Sequence, residues 1–222
     1  MYKIAIDGPS GAGKSTVAKA LSKKMGIVYV DTGALYRTVG YYIRSVGADP
    51  KSAEQVTPHL ADINIELKYE NGAQFVYLNG ENLGNKIREP EISMYASAVS
   101  AIPAVRAFLL ETQKAVARTN NVVMDSRDIG TVILPDAEVK IFLTASAECR
   151  ANRRVLELKE KGIEESYEKV LSEMIERDNN DKNRDVAPAV PADDAVILDN
   201  SDLTFEQTLE KIIEIAKQRV DI

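Results

Sequence analysis

The chain has 222 residues, 45% of them hydrophobic and 28% charged, enough to bury one good core and carry small inserted lobes. A net charge of −6 argues against a nucleic-acid surface, which needs a clustered basic excess, and the single cysteine, Cys149, excludes an internal disulfide and fits a reducing compartment. No apolar run approaches the roughly 20 residues of a membrane span, and Met1 leads straight into a strand rather than a signal peptide, so a cytoplasmic protein without a membrane partner is expected.

Residues 2–6 are rich in β-branched residues and read as a strand. Gly8-Pro9-Ser10-Gly11-Ala12-Gly13-Lys14-Ser15 follows at once and fits G-x-x-x-x-G-K-[ST] at every fixed position. Beyond it Val17, Ala20, Leu21 and Met25 recur at helical spacing, and Gly26 stands where a helix stops. Strand, loop and helix in this order predict a phosphate-binding loop, whose amides, with Thr16 at the helix start, converge on a phosphate. Lys14 is placed to reach the β- and γ-phosphates and the Ser15 hydroxyl to coordinate Mg²⁺. A glycine-rich turn that binds nothing would not need that register.

Residues 27–30 read as a short buried strand ending at Asp31, and 32–47 as a helix with Leu35, Val39, Tyr42, Ile43 and Val46 on one side. Ser52-Ala53-Glu54-Gln55 has capping-box form and predicts a short helix through Leu60. The period then changes to two at Ile63, Ile65 and Leu67; Asn71-Gly72 and Asn79-Gly80 are turn signals around residues 75–78. The stretch 62–88 is therefore expected to be a small antiparallel meander inserted over the active site, or else an ordinary edge of the main sheet. Two helices, 90–100 and 103–119, each carry proline near their start.

Val122-Val123-Met124-Asp125 predicts a buried strand ending in an acid, the form of a second carboxylate on the magnesium side. Residues 139–143 predict another strand, 146–161 and 166–178 two helices, 179–194 a loop, 195–198 a last strand and 204–220 a closing helix. Strands alternating with helices indicate an α/β fold of three layers around a parallel sheet, with ligands at the strands' carboxyl ends, where Asp7, Asp31 and Asp125 fall.

Arginines separate this chain from a plain nucleotide hydrolase. Arg150, Arg153 and Arg154 lie just after a strand, Arg177 and Arg184 bracket RDNNDKNR, and Arg127 adjoins Asp128. Arginine's planar fork binds phosphate oxygens bidentately. Yet residues 146–185 hold nine Lys and Arg against eleven Asp and Glu, which a solvated, salt-bridged helix pair would also explain. Of the remaining residues, His59 reads as surface or packing, Tyr36, Tyr41 and Tyr42 as packing or base-stacking residues, and Cys149 as a half-buried or a reactive thiol.

IDGPSGAGKST, DTGALYR at 31–37, RDIGTVILPDA at 127–137 and RDNNDKNR at 177–184, in this order along nearly the whole chain, resemble the bacterial cytidylate kinase family. The resemblance implies a P-loop kinase fold with a small antiparallel β insert over the acceptor site and a helical lid. As one kinase domain it would have a core of 1–31, 107–145 and 195–222, an acceptor region of 32–106, and a lid with its following loop at 146–194. It implies transfer of a phosphoryl group from Mg²⁺–ATP to CMP or dCMP in pyrimidine nucleotide metabolism, by a monomer whose partners are those nucleotides. Thr32, Ser97, Arg106 and Asp128 would surround cytosine; Arg37, Arg127 and Arg184 would hold the acceptor phosphate; Arg177 and Asp181 would bind the sugar. Arg150, Arg153 and Arg154 would belong to the lid over ATP, so that Lys14, Arg127, Arg153 and Arg184 act on the reacting phosphates and Ser15 and Asp125 on the metal. Ser126 departs from the family's usual glycine, and a side chain there would shift the loop of Arg127 and Asp128.

A kinase of the same superfamily acting on AMP, UMP or shikimate is the nearest rival. A GTP-dependent switch would need a guanine-reading Asn-Lys-x-Asp, and Asn85-Lys86-Ile87-Arg88 lacks the acid.

Overall fold

A computed structural model describes residues 1–70 and 73–221, with two compact units, Val28–Val122 and Tyr2–Ile27 joined with the chain from Val123 on. The Asn71-Gly72 turn lies outside the described residues. Among the described residues, no single helix is long and apolar enough to cross a membrane.

The unit built from both chain ends carries most of a five-stranded parallel sheet. Its strands are β1 (Lys3–Asp7), β6 (Val122–Asp125), β7 (Val139–Thr144) and β8 (Val196–Asp199), in the order β6-β1-β7-β8. The fifth strand, β2 (Val28–Asp31), begins the other unit. Ile4 pairs with Val139 and Ile6 with Ile141, while Leu143 pairs with Leu198, all parallel. Successive residues of a strand face opposite sides, and Ile4, Ala5, Ile6, Val123 and Met124 are all fully buried. Both faces of the central strands are therefore covered, as a parallel sheet requires.

Helices α1 (Lys14–Met25) and α8 (Phe205–Lys217) belong to this unit, the latter opened by a complete Thr204–Gln207 capping box. Helices α6 (Ala147–Glu160) and α7 (Tyr167–Asn183) pair through a small cluster of their own, Ala151, Leu158, Val170 and Met174. Ser146 and Ser166 cap them as their sequence positions require. The expected end of α7 at residue 178 is corrected: the helix runs on to Asn183. The Asn179-Asn180 pair suggests a loop, but no proline or glycine intervenes before Pro188, and Asp178 and Asp181 form ion pairs with Arg150 and Arg127.

The Val28–Val122 unit contains α2 (Thr32–Ser45), α3 (Ala53–Val56) and, at Thr57–Asp62, a 3₁₀ turn where the sequence suggested continuous α-helix. Ser52 caps α3 by accepting from the Gln55 amide, but the Gln55 side chain accepts from Asp49 rather than closing the box on Ser52. The meander is a separate sheet, β3 (Ile65–Glu70), β4 (Ala73–Leu78) and β5 (Glu81–Asn82), and not an edge of the main one. Asn79 and Gly80 turn β4 into β5 with φ of 49° and 84°, the left-handed pair of a type I′ turn. Helices α4 (Pro90–Val99) and α5 (Pro103–Ala117) complete the unit. Leu35, Val39, Ile43, Val56, Leu83 and Val99 form its core, whereas Val46 lies beyond the end of α2 and is exposed.

Gly40 sets the closeness of α2 and α4. A Cβ there would stand 2.9 Å from the Ala96 nitrogen and 3.1 Å from the Tyr95 carbonyl carbon, both backbone atoms that yield only if the helices part. Helix propensity alone favours alanine by about 1 kcal/mol. Overpacking typically costs about 1–3 kcal/mol. Gly40→Ala should therefore lower the urea midpoint at unchanged m-value. A higher midpoint would mean that propensity outweighs the contact.

Candidate active site

The phosphate loop folds as its glycines dictate. Gly8 has φ 142° and its added Cβ would lie 1.9 Å from the Leu143 carbonyl oxygen, so only glycine lets β1 turn away beside β7. Gly13, left-handed at φ 87°, opens α1; no side chain caps that helix and no acid occupies its first turn. Its N-terminal N–H groups and the positive end of its dipole are thus left by the protein for an anion.

Lys14 is 6% exposed, and its Nζ donates to the Pro9 carbonyl at 2.6 Å. Burial holds its ammonium well below the usual lysine range, with Arg127 and Arg177 pushing it down further and Asp125 opposing. Next to it the Ser15 hydroxyl donates to Asp125 Oδ2 at 2.7 Å, joining the start of α1 to the end of β6. A hydroxyl and a carboxylate side by side suit Mg²⁺, which takes one or two protein oxygens and completes its shell with water and phosphates. Among the described residues no group of three or more His, Cys, Asp or Glu is placed to hold a metal.

Asp7, which the sequence marked only as a strand-end acid, clamps the next loop. Its two oxygens accept from the Ile129 and Gly130 amides, each at 2.7 Å. These amides begin a π-type turn, Ile129–Ile133, directly after Arg127 and Asp128. The Ser126 amide donates to the Ile6 carbonyl at 3.2 Å, and Ser126 is not among the described non-glycine residues with positive φ, which are Asn79 and Ala187.

Arg127 Nε donates to Asp181 Oδ2 at 2.9 Å, and Asp128, 1% exposed, lies 3.8 Å from Arg184. Arg184 also donates to the Ala187 carbonyl and lies 3.8 Å from Asp181. Arg177 is buried, which lowers its guanidinium to about 10, with Arg127 as the next cause; its Nε has no hydrogen-bond partner. Arg150 donates to the Ser10 carbonyl at 3.0 Å and pairs with Asp178 at 2.6 Å. Arg153 donates twice to Asn200, at 3.1 and 2.8 Å, while Arg154 pairs with Glu157 on its own helix.

In the Val28–Val122 unit, Asp31 caps α2 and takes Arg37 Nη2 on both oxygens, at 3.1 and 2.9 Å. Arg37 Nε is buried without a hydrogen-bond partner. Thr32 is fully buried at the start of α2. Ser97 and Arg106 meet through Ser100, whose hydroxyl donates to the Ser97 carbonyl at 2.8 Å and whose carbonyl accepts from Arg106 at 3.2 Å. Arg106 also lies over the Tyr36 ring at 5.6 Å. Gln74 of the meander both donates to and accepts from the Asp31 backbone. Neither Ser100 nor Gln74 belongs to a local pattern that sequence reading detects. Cys149 donates to the Ser201 carbonyl at 3.5 Å, and His59 lies 3.6 Å from Asp62 and edge-on to Tyr42.

The cytidylate kinase family model matches residues 4–218. The chain belongs to the cytidylate kinase family. It is 51% identical to the cytidylate kinase of Fervidobacterium nodosum over 99% of this chain and 98% of that one. It is 49% identical to that of Caldicellulosiruptor saccharolyticus over 96% and 94%. An uncharacterised protein of solved structure from Eubacterium ventriosum aligns with a TM-score of 0.51 at 13% identity, over 99% of this chain and 100% of that one, a likeness of fold alone. In cytidylate kinase terms the fold is the P-loop kinase fold with its small antiparallel insert.

Burial raises the Asp7 carboxyl to about 6 from 3.8, against the two amide bonds that favour its charge. The folded state thus holds the Asp7 proton more tightly than the unfolded chain. Its contribution to stability is full below about pH 3.8 and is lost as pH rises through about 6, a fall of about 3 kcal/mol. Urea unfolding between about pH 4 and 7 should show the parent losing stability relative to Asp7→Asn as pH rises. Parallel curves would contradict the raised carboxyl.

Proposed function

We propose that this chain transfers the γ-phosphoryl group of Mg²⁺–ATP to CMP or dCMP, giving ADP and CDP or dCDP. The observation that carries the reading is the buried Lys14 beside the Ser15–Asp125 hydrogen bond, in a chain of this family whose arginines gather near the loop. Lys14, the backbone N–H groups of residues 8 and 10–16, the Pro9 turn and the α6 arginines Arg150, Arg153 and Arg154 serve the donor. Ser15 and Asp125 would hold Mg²⁺, which supplies charge neutralisation at the transferred phosphate when bound.

For the acceptor, Thr32, Ser97, Arg106 and Asp128 read cytosine. Arg37, and separately Arg127 and Arg184, take its phosphate; Arg177 and Asp181 take its sugar. No general base is required, because the acceptor phosphate is already ionised at neutral pH. Positioning and neutralisation provide the catalysis. The cations are held in advance by carboxylates and carbonyls, so little reorganisation remains when phosphates arrive. The helix pair of α6 and α7 acts as the lid.

ADP release from Mg²⁺–ATP across CMP, dCMP, UMP, AMP, GMP and shikimate tests the activity. CMP and dCMP should lead; preference for AMP or shikimate would assign another acceptor. Base choice follows from chemistry. The Asp128 carboxylate can accept the cytosine 4-amino hydrogen but opposes uracil O4, while Arg106 can donate to cytosine N3 or O2. A hydrogen bond to a charged group is worth about 1.5–3 kcal/mol, or roughly 10- to 150-fold. Asp128→Ala should lower kcat/KM for CMP by about that factor and for UMP much less. Since Asp128 also neighbours Arg184, loss of activity alone decides nothing. An unchanged CMP-to-UMP ratio would leave Asp128 as a support for Arg184.

A further inference from the structure

Asn200 follows β8 and is 4% exposed. Its amide N–H donates to the Thr144 carbonyl at the end of β7, at 2.9 Å. The side-chain Nδ2 donates to the Ala12 carbonyl in the phosphate loop at 3.0 Å. The side-chain Oδ1 accepts from Arg153 Nη1 at 3.1 Å, and the backbone carbonyl accepts from Arg153 Nη2 at 2.8 Å. Among the described residues, both hydrogen bonds of Arg153 end on Asn200. The orientation of the amide is fixed by its partners, since a carbonyl only accepts and a guanidinium only donates.

We propose that Asn200 is a positioning residue that holds Arg153 against the phosphate loop and so presents its guanidinium to the donor phosphates. The inference rests on the reading of the loop and the α6 arginines as the donor site. Arginine loses much rotamer freedom when it is fixed on a ligand. Two bonds to one rigid residue order Arg153 beforehand, and a third bond ties that residue to the loop it must match. The side chain has to offer a donor to Ala12 and an acceptor to Arg153 at once. An aspartate would serve Arg153 but set oxygen against oxygen at Ala12; a leucine would serve neither.

A double-mutant cycle with Arg153 tests this. Asn200→Ala should lower kcat/KM for Mg²⁺–ATP by about 10-fold, the scale of one charge-assisted hydrogen bond. The KM for CMP should stay within about twofold, which a general loss of structure would not spare. In an Arg153→Ala background the same change should have an effect below about twofold. Fully additive losses would overturn the positioning role. Arg153→Ala with parent kinetics would instead overturn the donor-side reading of α6, a separate failure. If Asn200→Ala does not fold, Asn200→Asp preserves shape and the Arg153 contact while opposing the Ala12 carbonyl. It should raise the KM for Mg²⁺–ATP, and parent kinetics in that variant would also overturn the proposal.

Discussion

The unit holding the phosphate loop is built around like charges kept close together and away from water. Lys14 is pushed well below the usual lysine range by burial and then by Arg127, and Arg177 is brought down to about 10 by burial and the same arginine. Such a cluster opposes folding, because each charge gives up hydration and repels its neighbours. A polyphosphate removes both penalties in one step. On the proposed function, the protein gives up stability in the empty state for affinity and for a transition state rich in negative charge.

The acids make that arrangement tolerable. Asp181 holds Arg127, Asp178 holds Arg150, Asp125 takes the Ser15 hydroxyl, and in the other unit Asp31 holds Arg37. Each cation is oriented by a partner that a phosphate oxygen can replace or join. This accounts for the charge balance of residues 146–185, where eleven acids stand against nine bases. On the proposed function, a salt-bridged helix pair and a phosphate-binding lid are the same object, with the salt bridges storing the arginines.

Much of this was legible in the sequence because the signals are local. The phosphate loop, the Ser146, Ser166 and Thr204 caps and the Asn79-Gly80 turn depend on a few consecutive residues, and each stands where its pattern placed it. The hidden part is made of long-range pairs. Asp7 reaches amides more than 120 positions away, and Asn200 reaches Ala12 across 188. No periodicity announces such contacts. They also explain why α7 outruns its expected end, since Asp178 and Asp181 satisfy arginines that lie elsewhere in the chain. Ser126 shows the converse: a departure from the family pattern that looked disruptive sits in ordinary backbone.

If the cation cluster is held for a ligand rather than for the fold, removing its central charge should not weaken the empty protein. Lys14→Met keeps the apolar stem and deletes the ammonium together with its bond to the Pro9 carbonyl. Urea unfolding of the unliganded variant should give stability equal to or above that of the parent, as replacement of buried charge by apolar groups often does. Adding Mg²⁺–ATP should stabilise the parent and leave the variant nearly unmoved. An empty variant clearly less stable than the parent would make Lys14 a structural support, and a variant that still gained full stability from nucleotide would place the donor phosphates elsewhere.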